Sequence, residues 1–211
     1  MDEHPENPVM KTLVLAAHPN WRESRVNRRL LEVARGLPGV RVQDLYGLYP
    51  DFDIDVPAEQ ELAAQAQLIV LLHPIQWYSM PPLQKLWFDE VLAYGWAYGH
   101  LGTALQGKDV WLVATTGGPE SSYHPQSYNR YFFDAFMPPY EQTAALCGMR
   151  FLPPLVLHGA HRASNEEVHS HTQVFAERLA TYPDWPELVE LMEREECDVP
   201  SDARPATHEE V

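Results

Sequence analysis

Five short apolar runs punctuate the chain, and between them apolar positions recur at helical spacing. Residues 68–72 (LIVLL) show no alternation at all, as in a strand buried on both faces of a helix-covered parallel sheet. Residues 11–17 (KTLVLAA) and 108–116 (KDVWLVATT) read the same way, whereas residues 40–45 alternate like a less buried strand. A fifth strand over residues 150–158 contains Pro153-Pro154, which an edge strand tolerates and a central one does not. Val26, Leu30, Val33 and Ala34 trace one helix face, with Ser24 as the expected N-cap and Gly36 as the stop. Further helices are predicted over residues 58–66, after Pro81-Pro82 on Leu83, Leu86, Trp87 and Val91, over 137–147, over 166–181, and as a short acidic piece over 185–196. Alternating strands and helices give an α/β, doubly wound, five-stranded parallel sheet. The order 2-1-3-4-5 places the proline-bearing fifth strand at an edge.

Open sheets of this kind bind ligands beyond the carboxyl ends of their strands. Three loops there are unusual in composition. After the first strand come His18 and then Ser24, Arg25, Val26 and Asn27, with Arg28 and Arg29 adding cations where the helix dipole disfavours them. A bound anion at the helix start accounts for that reversal, and an exposed basic face accounts for it equally. After the third strand come Ile75, Gln76, Trp77 and Tyr78; after the fourth come Thr115, Thr116, Gly117 and Gly118, where paired glycines let backbone approach a ligand closely. The segment AYGWAYGHLGT (residues 93–103) carries three aromatics on a glycine-rich loop, and these rings need cover from a ligand, a partner subunit or local packing. Neither GxGxxG nor GxxxxGKS/T occurs, so a Rossmann dinucleotide loop and a P-loop are unsupported.

Composition narrows the classes. A chain of 211 residues suits one domain, and the net charge of −15 disfavours nucleic acid or anionic membrane as the main partner. Much of that charge sits in the last 28 residues, where ten acids face Arg194 and Arg204; residues 1–10 are expected to be a flexible leader, 11–182 the folded domain and 183–211 an acidic tail. Cys147 and Cys197 form no CxxC, and no basic-apolar signal segment or membrane-length apolar run is present, pointing to a cytoplasmic protein with reduced thiols. The pairs His158/His161 and His169/His171 lack the company a metal site needs, so none is expected.

The crest residues resemble the FMN-binding set of the flavodoxin-like NAD(P)H:quinone oxidoreductases, the DT-diaphorase superfamily. The strings HPIQWYSMPPLQKLWFDEV, GWAYGHLGTALQGK, TTGGPES and DLYGLYPDFDID look like its bacterial branch, the ancillary proteins of glutathione-regulated potassium-efflux antiporters. The resemblance covers roughly residues 11–182 and implies a homodimeric FMN flavoenzyme, with NAD(P)H as co-substrate and a quinone as acceptor. It implies that Ser24, Arg25, Val26 and Asn27, with His18 nearby, hold the FMN phosphate. Ile75, Gln76, Trp77 and Tyr78 would line the isoalloxazine, and Thr115, Thr116, Gly117 and Gly118 would donate N–H groups to its polar edge. Trp96 and Tyr98 match the loop that closes a partner's substrate site. Tyr123 falls where the mammalian-type enzymes carry a tyrosine near the flavin, but their histidine six residues on is Asn129 here, with His124 as a substitute. A second implied role is a flavin-binding regulatory subunit of such an antiporter, peripheral at the inner membrane face through that protein. A plain electron-carrying flavodoxin suits the aromatic crest less well.

Overall fold

The computed structural model describes residues 10–191. Five parallel strands, β1 (Thr12–Ala16), β2 (Val40–Asp44), β3 (Leu68–Pro74), β4 (Asp109–Thr115) and β5 (Arg150–Leu157), lie in the order β2-β1-β3-β4-β5. The helices are α1 (Val26–Arg35), α2 (Leu45–Leu48), α3 (Val56–Gln65), α4 (Pro82–Val91), α5 (Pro138–Leu146), α6 (Asn165–Thr181) and α7 (Pro186–Leu191). Side chains alternate across each central strand and fill two cores. Leu13, Leu15, Ile69, Leu71, Val110 and Leu112 face a core with Leu83, Trp87, Tyr140 and Ala144 from α4 and α5. Val14, Val70, Leu72, Trp111 and Val113 face the other, with Leu30, Ala34, Phe175 and Leu179 from α1 and α6. β1, β3 and β4 are therefore buried on both faces, as their unbroken apolar runs require.

β5 is an edge, and its register against β4 slips between Trp111 and Val113, opposite the exposed Pro153 and Pro154. The prolines thus sit in a bulge of an edge strand, where no ladder N–H is missed; the Pro153 carbonyl accepts from Trp111 Nε1 at 3.0 Å. The short α2 has no counterpart in the expected elements. Asp44 caps it by accepting from Gly47 N–H at 3.3 Å. Packing runs on past residue 182: Trp185 and Leu188 are buried in the α1/α6 core, and Arg178 pairs with Glu187 at 2.6 and 2.7 Å while lying over the Trp185 ring. The expected leader, the far end of the acidic helix and the acidic tail from residue 192 lie outside the described residues, as does Cys197; Cys147 is a buried free thiol.

Candidate functional site

The loop after β1 differs from expectation in one informative detail. Ser24 is not the N-cap of α1; it ends a 3-10 turn (Trp21–Glu23), and Arg25 occupies the cap position with no side-chain bond to the helix. The first-turn N–H groups of α1 therefore have no capping oxygen, while Ser24 Oγ is buried and without a partner. Asn27 is buried beside it, its Nδ2 donating to Thr115 Oγ1 at 2.9 Å and its Oδ1 unpartnered. Thr115 can equally donate to an amide oxygen, so a half-turn of that amide presents its NH2 to the site instead. Val26 belongs to the core, and the Arg25 guanidinium is engaged by the loop after β5, reaching the Ala163 carbonyl and, at 3.4 Å, Asn165 Oδ1. His18 lies 5.1 Å from the Trp21 ring and accepts from Asn20 N–H at 3.1 Å; burial holds its pKa below the usual imidazole value, against the opposing pull of Asp44 and Glu23.

Beyond β3 the backbone makes a tight hairpin. Gln76 and Ser79 exchange N–H···O bonds of 2.9 and 3.1 Å, and the two central residues, Trp77 and Tyr78, both have positive φ (49° and 66°). Glycine or asparagine normally fills such positions, and an L-residue pays roughly 1–2 kcal/mol for each. Here two aromatics occupy them. Trp77 stands 93% exposed at the tip, and Tyr78 stacks on Phe136 at 5.1 Å. Ile75 N–H is committed to Thr115 O at 2.8 Å, so the uncommitted donors of the turn are the N–H groups of Trp77 and Tyr78.

Of the four residues ending β4, Thr115 is paired within the sheet between Pro74 and Leu157, and Thr116 N–H donates to Leu157 O at 3.0 Å. That leaves the N–H groups of Gly117 and Gly118 unengaged. A Cβ on Gly118 would meet Ser122 Oγ at 2.7 Å and the Tyr128 hydroxyl at 2.8 Å, so a side chain there would have to displace those groups; at Gly117 the nearest atoms are on His161 at 3.6 Å and a side chain fits.

Ile75, Trp77, Tyr78, Gly118, Tyr123, Tyr128 and Asn129 line a concavity of about 190 Å³ between these loops. Tyr123 is buried, edged by Phe133 and Phe136, and burial raises its pKa although the neighbouring Thr116 hydroxyl opposes this. His124 does not substitute for a family histidine: it is exposed, its Nδ1 accepts from Gln126 N–H at 3.2 Å and its ring edges Phe132. Asn129, in the family histidine's place, is a strap. It accepts from the Tyr78 hydroxyl at 3.3 Å and donates to Ser122 Oγ at 2.8 Å, which donates to Pro119 O at 2.7 Å. The expected lid is split: Tyr98 is buried and Trp96 half-buried against the core, while Leu101 stands out at 77% exposure. The sequence carries no signal for Tyr128, and His158 enters there only as a candidate metal ligand. The latter, just past β5, has Nδ1 3.0 Å from Thr116 Oγ1 and its ring 5.3 Å from Tyr123. Among the described residues no cluster of three His, Cys, Asp or Glu is disposed to hold a metal ion.

A buried, unpartnered serine hydroxyl at an uncapped helix start, with the NH2 that a half-turn of the Asn27 amide would present, is a donor set suited to a phosphate monoester, so the residues fit FMN's phosphate end. A 2-1-3-4-5 sheet with its loops converging beyond β1, β3 and β4 defines a doubly wound protein of the flavodoxin class. Residues 10–180 match the flavodoxin-like fold family, and the chain belongs to it. It is 47% identical over 170 residues to the glutathione-regulated potassium-efflux system ancillary protein KefF of Citrobacter koseri, covering 81% of this chain and 96% of that protein. Two solved structures superpose closely. One is general stress protein 14 of Treponema denticola in complex with FMN (36% identity, TM-score 0.76, 80% of this chain and 97% of that one). The other is an NADPH-quinone reductase from P. pentosaceus (28% identity, TM-score 0.73, 82% and 99%).

Proposed function

We propose that the chain is an FMN-dependent NAD(P)H:quinone oxidoreductase. The observation that carries this reading is the buried, unpartnered Ser24 Oγ at the uncapped start of α1, beside an Asn27 amide that a half-turn makes a donor. Likeness to an FMN complex and to a quinone reductase supports it. Bound FMN would supply the two-electron chemistry between NAD(P)H and a quinone. Ser24, Asn27 and the first-turn N–H groups of α1 hold the phosphate. The free N–H groups of Trp77, Tyr78, Gly117 and Gly118 are fixed dipoles suited to negative charge on a ring's polar edge. The exposed Trp77 indole offers a flat stacking face, and Tyr123 places a phenol in a partly dry wall of the concavity. Anaerobic mixing of FMN-loaded protein with NADH or NADPH should bleach the flavin absorbance, and a quinone should restore it. Absorbance untouched by both nucleotides would remove this reading.

A second reading, a regulatory subunit of a potassium-efflux antiporter, is favoured by the 47% identity to KefF. No helix among the described residues is long and apolar enough to cross a membrane, so attachment would run through the antiporter from the cytoplasmic side. Co-purification with an antiporter of that class tests it; failure to co-purify from membranes holding both would reject it. The exposed Trp77, Tyr128, Tyr131 and Phe132 around the concavity support a homodimer that covers them, and a monomer mass in light scattering of the active protein would contradict it.

A further inference from the structure

We propose that Asn129 is the positioning residue of the concavity: it straps the hairpin after β3 to the loop after β4 and so fixes the separation of two pairs of uncommitted backbone donors. One pair is the N–H groups of Trp77 and Tyr78, the other those of Gly117 and Gly118. The proposal rests on the FMN reading and deepens it, since the polar edge of a flat ring can meet both pairs only at one spacing.

The strap is anchored twice on the β4 side. Asn129 Nδ2 donates to Ser122 Oγ at 2.8 Å, and Asn129 N–H donates to Ser122 O at 3.3 Å; both residues are buried. Ser122 Oγ in turn donates its single proton to Pro119 O at 2.7 Å. A flipped Asn129 amide would cost that last bond, so the network turns Oδ1 toward the Tyr78 hydroxyl, which donates across 3.3 Å. Each end of the strap lies at one donor pair. Ser122 Oγ stands 2.7 Å from where a Cβ on Gly118 would be, and Tyr78 itself carries one of the hairpin donors.

The hairpin needs such a hold. Trp77 and Tyr78 both have positive φ, which an L-residue resists, and the Trp77 side chain, 93% exposed, gives the tip no purchase. The turn closes on itself through the bonds between Gln76 and Ser79. From outside it is held through Tyr78, whose ring stacks on Phe136 at 5.1 Å. Stacked rings tolerate lateral offset, so the stack alone leaves the ring free to slide. The hydroxyl bond at its far end stops the slide, and with it any drift of the Trp77 and Tyr78 N–H groups relative to Gly117 and Gly118. Asn129 therefore acts through Tyr78 rather than on a reacting atom.

Hydrogen exchange in the full-length protein without cofactor reads the strap directly. Gln76 and Ser79 N–H, which close the hairpin, should exchange about 5-fold faster in Asn129→Leu and in Tyr78→Phe, a modest effect because the shared bond is long. The double variant should exchange no faster than either single one, since both remove the same bond. Tyr78→Phe keeps the ring and its stack, and Ile75 N–H, bonded to Thr115 O, is the internal control. Wild-type exchange in Tyr78→Phe, or additive acceleration in the double variant, overturns the strap. The second readout is the two-electron midpoint potential of bound FMN. Donors held at the ring's polar edge favour its more negative redox state. Tyr78→Phe should favour that state about 5-fold less, a fall of about 20 mV. A hairpin that loosens while the midpoint stays put overturns the positioning role. Protein that binds no FMN would instead refute the proposed function, and the exchange measurement would still decide whether the strap exists.

Discussion

The two ends of the same sheet are built in opposite ways. At the amino end, Asp109 is nearly sealed and fully engaged: Arg150 gives it two bonds of 2.7 and 2.9 Å and the Tyr182 hydroxyl a third of 2.7 Å. Lys108 Nζ caps the carbonyls of Ala64 and Ala66 at 2.7 and 2.5 Å. At the carboxyl end, Ser24, Asn27 and His73 each keep a buried atom without a partner, and Trp77 and Tyr78 sit at positive φ. A chain that satisfies its polar groups at one end can do so at the other. Unpaired buried atoms also occur in α4, α5 and α6, but at the crest they stand beside an uncapped helix start and two strained aromatics, the combination expected of a ligand site.

The contrast should break most sharply in acid. His73, wholly buried at the crest end of β3, and His171 in α6 are both pushed down to about 4 by burial. A base with a depressed folded pKa binds fewer protons folded than unfolded, so its stability is complete above pH 6.5 and lost as pH falls toward 4. Each should cost on the order of 3 kcal/mol across that window. Urea midpoints should begin falling near pH 6.5, before carboxylates titrate; a flat profile from pH 7 to 5 would refute the burial argument. The amino end is next. Asp109→Ala strips a buried carboxylate from Arg150, whose side chain is 32% exposed, so about 2–3 kcal/mol should be lost in denaturant titration with FMN affinity unchanged. An equal loss of FMN affinity would show that the two ends are not independent. Smaller still, Trp77→Asn should gain roughly 0.5–1 kcal/mol, because asparagine tolerates the left-handed region and no packing is lost from a side chain 93% exposed. It should lower quinone turnover; a variant both stabilised and fully active would remove the indole's role.

The fold was legible because its signals are local and redundant. Unbroken apolar runs marked β1, β3 and β4, and Pro153-Pro154 marked the edge before any sheet order was known. The site was legible as three loops, since strand ends fix where loops converge, and the family resemblance supplied their roles. What the sequence concealed depends on side-chain direction. The cap falls at Arg25, one residue past the expected Ser24, and that one step separates a buried hydroxyl from a guanidinium tied to the α6 side. Tyr123 and His124 are adjacent, but the chain turns between them and sends one into the concavity and the other to solvent. Tyr98 was expected in a lid from the family resemblance of its loop, and within this chain tertiary packing buries it. His158 was weighed for metal alone, since nothing in a linear reading joins it to Thr116 across the β4/β5 pair.

If the orphaned Ser24 hydroxyl at the start of α1 is there for a phosphate, equilibrium dialysis of FMN against wild type and Ser24→Ala will show it. Removing a hydroxyl that bonds nothing in the free chain should leave apo stability within about 1 kcal/mol of wild type. Losing one hydrogen bond to a charged phosphate should weaken FMN binding roughly 10- to 100-fold. One FMN per wild-type chain, with that selective loss in the variant, is the expected result. Wild-type protein that binds no FMN, or a variant that binds it as tightly as wild type, would contradict it.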